Sequence, residues 1–567
     1  MSATPRLPVI LLWHMHQPPY RDALTGQYTL PWTYLHATKD YTDMAAHLEA
    51  NPAARAVVNF TPVLIEQLEE LAGRIAAHLE SGEPLPDPVL ALLGPEPVPQ
   101  APAQRLELLR ACLRANRAHM IERFGPYLEL ATIADTLGTA ERVVYASDQF
   151  IQDLAVWYHL AWLGETVRRA DPLVGRLTER GREFTAAQRR DLLTLIGRLV
   201  AQVVPRFRAL AERGQVELSL TPYAHPIIPL LLDFHCARDA VPSMALPAHL
   251  AYPGGAARAA WHVEEGMRVF TRAFGMRPGG CWPAEGAISA GTLELLAARG
   301  GFRWSASSAA VLRGSLMLTD PRAAEDPLAY NRPYRLGGTG MSCFFRDDTL
   351  SDLIGFTYAT WHGDDAAANL AGELVRLAER YAPAGNHAVL IALDGENAWE
   401  HYPFNGYYFL KALYAQLAQH PQLELTTLSE VIARGIQPAP LPNVMAGSWV
   451  HGTLATWMGD PAKNRAWDLL CDAKQAYDRV MQNTDDAQLR AAACRQLALC
   501  ESSDWFWWFG DYNPAEAVSQ FDRLYRRQLA TLYRRLNLAP PLELAHTISV
   551  GSGAPEHGGV MRRATAG

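Results

Sequence analysis

The chain has 567 residues, 49 % of them hydrophobic and 19 % charged, with 51 Lys and Arg against 59 Asp and Glu. That length is too great for one small core and calls for about two to four domains or subdomains. The net charge of −8, carried with no basic stripe, gives nucleic-acid binding no electrostatic support. The seven cysteines are scattered without a Cys-x-x-Cys pair, which fits free thiols in a reducing compartment and points to no zinc or disulfide framework. No apolar stretch reaches the length of a membrane span. The N-terminal apolar run, Leu7 to Trp13, lacks the basic region and cleavage site of a leader, so a cytoplasmic location is expected.

Leu7 to Trp13 reads as the first strand, and His14-Met15-His16-Gln17-Pro18 leaves its end. His14 and His16 share a face if the chain stays extended. A metal reading of this pair needs a further ligand, and the scattered histidines offer no clear choice; a neutral hydrogen-bonding role for His16 is the simpler expectation. Residues 56–60 form a second strand, broken at Thr61-Pro62, where a helix opens. A mostly helical insertion is expected at about 80–212, with helical periodicity from Arg105 to Arg123, Phe150 to Trp162 and Ala187 to Arg213.

Residues 215–220 form a third strand, and Glu217 midway along it should either reach a polar site or lie in water at an edge. A helix from Ala256 to Phe274 leads to the Gly- and Pro-rich stretch around Trp282 and Glu285. Further short strands follow at 302–306 and 342–345. The run Ala388-Val389-Leu390-Ile391 has the pattern of a buried parallel strand. The loop after it would crowd Asp394, Glu396 and Glu400 into a cleft beside Trp399, an arrangement suited to sugar chemistry, although an acidic helix start fits the same residues. A strand at 423–427 completes seven or eight strands alternating with helices, hence a parallel α/β barrel over 1–435. Pro438, Pro440 and Pro442 read as a linker to a C-terminal helical domain, 436–548, whose Trp449 or Trp457 would approach the barrel mouth. The run Asp504 to Phe509 reads as helix-packing core, and the Gly-rich end, 549–567, as a disordered tail.

Taken together, His16-Gln17-Pro18, Gly214-Gln215-Val216-Glu217 with His225-Pro226, Trp282-Pro283-Ala284-Glu285 and Asp394-Gly395-Glu396-Asn397-Ala398-Trp399-Glu400 resemble, in order, the signature regions of glycoside hydrolase family 57. The resemblance covers about residues 8 to 545. It implies a distorted (β/α)7 barrel with a helical C-terminal domain, and retaining, metal-free cleavage of α-glucans without a cofactor. Glu285 then falls on the family's nucleophile and Asp394 on its general acid/base. His16, Gln17, Glu217 and His225 fall on substrate-contacting regions, and Trp449 and Trp457 are the candidates for a Trp of the fifth region. Trp282 would stack on a sugar ring, and Ser351-Asp352-Leu353-Ile354-Gly355-Phe356 looks like the amylase and amylopullulanase branch. The resemblance leaves open an α-1,4 or α-1,6 hydrolase, a 4-α-glucanotransferase, and a non-catalytic glucan-binding protein; the intact Glu285 and Asp394 weigh against the last. A metal-dependent deacetylase or α-mannosidase-like barrel is a minor alternative raised by His14 and His16.

Overall fold

The computed structural model describes residues 6–382 and 384–553. Among them, β1 (Leu7–Met15), β2 (Ala56–Phe60), β3 (Val216–Leu220), β4 (Trp304–Ser308), β5 (Tyr334–Leu336), β6 (Ser342–Arg346), β7 (Val389–Asp394), β8 (Leu423–Leu425) and β9 (Ala439–Leu441) form one mixed sheet. Every residue of β1 is buried, as an uninterrupted apolar run covered on both faces requires. β1 pairs in parallel with β2 and β7, and its first three residues pair with β8.

Parallel pairing runs β3–β2–β1–β7–β6–β4. Between β4 and β3, Cys281 bridges Ser305 on one side and Leu220 on the other, both in parallel. Its N–H donates to Trp304 O at 3.0 Å, and Trp282 N–H donates to Leu220 O at 3.0 Å. The stretch Gly279–Trp282 thus takes the place of a seventh strand, joined to each neighbour by a single bridged residue, Cys281, and a few flanking backbone hydrogen bonds. Glycine is required there: a Cβ on Gly280 would stand 2.1 Å from the Trp304 indole. The architecture is therefore the expected distorted (β/α)7 barrel in its barrel-like form.

β5 and β9 were not expected. Each has three residues and they pair with each other at the edge of the sheet, where Pro440 needs no donor toward a further strand. The proline-rich stretch read as a linker is thus in part an edge strand. The principal helices are α1 (Pro62–Ser81), α2 (Asp148–Ala161), α3 (Ala186–Glu212), α4 (Gly255–Phe274), α5 (Gly363–Tyr381), α6 (Tyr407–Gln419), α7 (Pro461–Met481), α8 (Ala487–Cys500) and α9 (Ala515–Arg535). The segment between β2 and β3 is mostly helical, with α3 packed along α1. None of the described helices is long and apolar enough to cross a membrane.

The C-terminal helices are fastened to the barrel by a buried ion cluster. Glu501, directly after α8, accepts from Arg258 Nε and Nη2 at 2.8 Å each, from Tyr252 Oη at 2.6 Å, and lies 2.7 Å from His262 Nε2. Arg258 and His262 belong to α4. Ser549 to Gly553, expected to begin a disordered tail, instead pack back on the chain: Gly510 N–H donates to Ser549 Oγ, and Gly553 bridges Pro514. Residues 554–567 lie outside the described residues.

Burial raises the Glu501 proton affinity, but the Arg258 charge and the bonds from His262 and Arg258 win and bring its carboxyl from 4.5 down to about 2. Arg258→Ala strands this buried carboxylate and is expected to cost about 3–5 kcal/mol, read as a fall in melting temperature. Because the native value is depressed, the contribution is full above pH 4.5 and is lost as pH falls toward about 2. The gap between variant and parent should therefore narrow in acid; a gap independent of pH would contradict the assignment.

Candidate active site

Parallel strands deliver their C-terminal ends to one face, and that face carries an open cleft. His14 and His16 come from the end of β1, Asp394 and Glu396 from the end of β7, Arg346 from the end of β6, and Glu285 from the turn after the Cys281 bridge. Trp449, from the segment after β9, closes one side.

Glu285 sits on a turn whose backbone is left-handed at φ 58°, a conformation that costs a non-glycine residue energy and is held only by its surroundings. Trp449 supplies them. Its backbone N–H donates to Glu285 O at 3.0 Å, and its indole Nε1–H donates to Glu285 Oε2 at 2.7 Å. The Trp449 ring is itself sandwiched by the Arg346 guanidinium, 4.9 Å from its centroid, and by Trp282, at 5.1 Å edge-on. Arg346 is fixed in turn, donating from Nε to Asp348 at 2.8 Å and from Nη1 to Ala392 O at 2.9 Å.

Asp394 is half-buried, and Asn397 Nδ2 donates to its Oδ2 at 2.8 Å. Loss of hydration pushes its carboxyl up to about 6, against the opposing influence of Asn397, His16 and Arg346. Two residues on, Glu396 is buried and is driven well above the usual carboxylate range, first by burial and then by the neighbouring Asp394 charge. Its Oε1 accepts from His16 N and from Gln17 Nε2, at 3.3 and 3.2 Å, while Oε2 has no hydrogen-bond partner. A protonated Glu396 beside a titrating Asp394 is the arrangement these contacts support.

The histidines form a stack. His16 lies face to face with His225 at 3.8 Å, and His14 stacks on His225 at 5.1 Å. Asn59 Oδ1 accepts from Thr221 Oγ1 and so also takes a proton from His14 Nδ1, 2.7 Å away. That leaves His14 Nε2 to accept from His225 Nε2 at 3.1 Å, and His225 Nδ1 to accept from Ser503 Oγ at 2.7 Å. This directed chain is the tautomer assignment that the Asn59 contacts favour. Desolvation is the main reason both rings stay neutral, His14 going down to about 3 and His225 well below its ordinary value. His225, like Glu285, has a left-handed backbone, at φ 60°. His16 Nε2 faces both oxygens of Asp504, at 3.0 and 3.1 Å.

The structure sorts the residues expected from sequence. Glu285, Asp394, His16, Gln17, Asp352 and Trp449 line the cleft, and His225 lies directly behind His16. Of the two tryptophan candidates, Trp449 is the one at the cleft; Trp457 is fully buried against Trp507, at 6.0 Å, in the helical region. Trp282 does not face the cleft either, because its ring is fully buried beneath Trp449. Trp399, expected beside the carboxylates, is also buried and caps Gly395 O through Nε1 at 2.8 Å. Glu217 shares the inward face of β3 with Ser219 and Thr221 but sits at the strand's other end, accepting from Trp304 Nε1 at 2.7 Å and Ser429 N at 2.9 Å. It ties barrel elements together and does not line the cleft.

Sequence reading missed Arg346, Asn59, Ser503 and Asp504. The run Asp504 to Phe509 is only half core: Trp505 and Phe506 are packed inside, whereas Asp504, Trp507 and Trp508 reach the cleft. The available signal was Asp504 itself, a carboxylate at the head of an aromatic run, which is costly to bury unless it has a partner.

Comparison with known proteins agrees with the fold. Solved structures of similar fold include the GH57-type branching enzyme of the hyperthermophilic archaeon Pyrococcus horikoshii, with 17 % identity over 95 % of this chain and 96 % of that one and a TM-score of 0.57. The α-amylase AmyC of Thermotoga maritima shows 16 % identity over 94 % of each chain and a TM-score of 0.56. The 4-α-glucanotransferase of Thermococcus litoralis shows 12 % identity over 94 % of this chain and 60 % of that one, with a TM-score of 0.51. Comparison with curated proteins finds no match. A sequence model of glycosyl hydrolase family 57 matches residues 10–441, which is most of the chain, and the protein belongs to that family.

Proposed function

We propose that this protein cleaves α-1,4 linkages in α-glucans such as starch, glycogen or maltodextrin by a retaining double displacement. The observation that carries the reading is the pairing, in one cleft, of two carboxyls in different surroundings. Glu285 is gripped by an indole N–H donor, whereas Asp394 is held up to about 6 by burial. A retaining glycosidase needs one ionised carboxylate to attack and one carboxylic acid to protonate the leaving oxygen, about 5–5.5 Å apart.

In the first displacement Glu285 attacks the anomeric carbon while Asp394 gives its proton to the departing glycosidic oxygen. The ester that forms removes the Glu285 charge. Asp394, now ionised, takes a proton from the incoming water, which opens the ester and restores both groups. Trp449 keeps the Glu285 oxygen aimed, and Arg346 keeps Trp449 in place. His16 and Asp504 present polar atoms to sugar hydroxyls.

Hydrolysis is the leading reading, supported by the amylase-like His16-Gln17-Pro18-Pro19-Tyr20 sequence and by the Asp352 segment at the cleft. Transfer to a second sugar, as in a 4-α-glucanotransferase, is the alternative. It is favoured by one observation, the aromatic wall of Trp32, Trp162, Trp507 and Trp508, on which an acceptor sugar could lie in place of water. Incubation with maltoheptaose, and separately with pullulan, separates the readings. Shorter maltooligosaccharides alone are expected; maltotriose from pullulan would add α-1,6 cleavage, and a ladder above heptaose would make transfer the main reaction. No change in either sugar would refute both.

Glu285→Gln keeps an acceptor for the Trp449 indole but removes the nucleophile, so glucan binding should persist while kcat falls by at least about a thousandfold. A variant retaining more than a few per cent of the rate would name the wrong nucleophile. The alkaline limb of kcat/KM should fall above about pH 6, where Asp394 loses its proton. The Asn397 amide stabilises the ionised Asp394, so Asn397→Ala should move that limb to higher pH; no movement, or movement downward, would contradict the acid role.

A further inference from the structure

We propose that His36, aimed by Asp40, is a substrate-binding residue that accepts a hydrogen bond from a hydroxyl of the glucan chain, on a sugar beyond the one that meets Glu285 and Asp394. The role rests on the proposed glucan reading, which does not itself assign His36 any part. His36 ends the short helix Trp32–His36, between β1 and β2, and its ring lines the cleft. Its Nδ1 stands 2.7 Å from Asp40 Oδ2. A carboxylate can only accept, so Nδ1–H donates to it and the neutral ring carries its lone pair on Nε2. Of the two ring nitrogens, only Nδ1 has a hydrogen-bond partner among the described residues. Nε2 lies across the ring from the buried Asp40 and is the edge left for a ligand in the cleft.

The support behind His36 is more elaborate than stability requires. Asp40 and Lys39 are both buried, and Lys39 Nζ donates to Asp40 Oδ1 at 2.6 Å. A buried ion pair commonly stabilises no better than apolar residues of the same volume, but apolar residues cannot hold an imidazole by its Nδ1–H. Consecutive residues of an α-helix do not face each other. Here the backbone widens into a π-turn, Ala37–Tyr41, a feature often found at functional sites. Lys39 reaches its neighbour by folding across the Trp162 ring, with its ammonium 5.0 Å from the centroid. Trp162 meets the His36 ring edge-on, at 5.5 Å and 86°, which settles the plane of the imidazole. Lys39 also donates to Asn405 Oδ1 at 3.0 Å, and Asn405 donates to Asp43 at 3.0 Å. The loop after the Asp394 strand is thus clipped to the segment that carries His36.

Trp32, half-buried, lines the same corner of the cleft, 6.3 Å from the His36 ring. An indole beside one well-placed polar atom gives a sugar ring an apolar face and a hydroxyl partner. Tyr41 sets the distance from the chemistry: its ring lies 6.5 Å from that of His36, and its Oη donates to His16 O at 3.4 Å. A tyrosine side chain therefore separates His36 from His16, which puts His36 at a neighbouring sugar and not at the cleaved bond.

Turnover of maltooligosaccharides of increasing length by the full-length protein tests the role. His36→Ala is expected to lower kcat/KM for maltoheptaose about tenfold, as the loss of one hydrogen bond does. The loss should fall on KM with kcat little changed, and the shortest oligosaccharide that the parent cleaves should change by less than about twofold. Asp40→Asn removes the carboxylate that orients the ring and should show the same dependence on length. It also leaves Lys39 buried without its anion, so if that variant does not fold, His36→Ala at its partly open position decides the case. An equal loss at every length, or no loss on maltoheptaose, would overturn the proposal. Calorimetric titration of maltoheptaose into Glu285→Gln, with and without His36→Ala, gives a second readout: weaker binding by the double variant supports the role, and equal binding overturns it. A parent that neither cleaves nor binds maltoheptaose would refute the glucan reading and this role with it, whereas an active parent with a length-independent His36→Ala effect refutes the role of His36 alone.

Discussion

The site depends on one carboxylate that no solvent reaches. Glu501 is taken out of water, where its charge would be well hydrated, and its pairing with Arg258 and His262 on α4 must repay that loss. The geometry is complete: two donors from Arg258, one from Tyr252 and the His262 ring leave neither oxygen unbonded. Because the cluster joins α4 to the end of α8, it sets where the next residues go. Ser503 and Asp504 follow within three positions and meet His225 and His16. The helical region is therefore part of the cleft, and the barrel alone would present an incomplete histidine stack.

Around the carboxyls, the surroundings rather than the residue types set the protonation states. Asp394 and Glu396 are both raised by burial, and the Asp394 charge makes ionisation of Glu396 harder. Glu285 has a different neighbour, the Trp449 indole, whose N–H stabilises charge on the oxygen it meets. The left-handed backbone at both Glu285 and His225 places conformational cost at the two turns that aim these side chains. Trp449 binds the first turn through backbone and side chain together, and Ser503 N–H holds the second through His225 O at 3.0 Å. Rigid support of this kind allows a small number of atoms to hold the geometry of the cleft.

The strongly apolar strands were legible from sequence. β1 and β7 read as buried parallel strands because both their faces are covered, so the pattern needs no knowledge of the neighbours. The residues at their ends, His16 and Asp394, followed from strand direction alone. Shorter elements were not legible. β5 and β9 have three residues each, and Gly279–Trp282 joins the ring through a single bridged residue, so none carries a periodicity to detect. Glu217 showed a second limit: alternation predicts which face a side chain takes, but both ends of a barrel strand share that face. Only the register, which sets Glu217 opposite Val57 and Ser219 opposite Asn59, shows that the carboxylate is at the far end.

The sequence by itself determined the family and the α/β alternation, and it singled out the two candidate carboxylates that line the cleft, because these reside in local runs and ordered motifs. The tertiary structure decided which tryptophan meets Glu285, since Trp282, Trp449 and Trp457 are chemically alike and differ only in what packs over them. It also decided that Arg346, Ser503 and Asp504 belong to the cleft. Asp504 lies 488 positions from His16 along the chain, and no local pattern can encode a contact that exists only when α4 and the end of α8 are brought together by a buried charge.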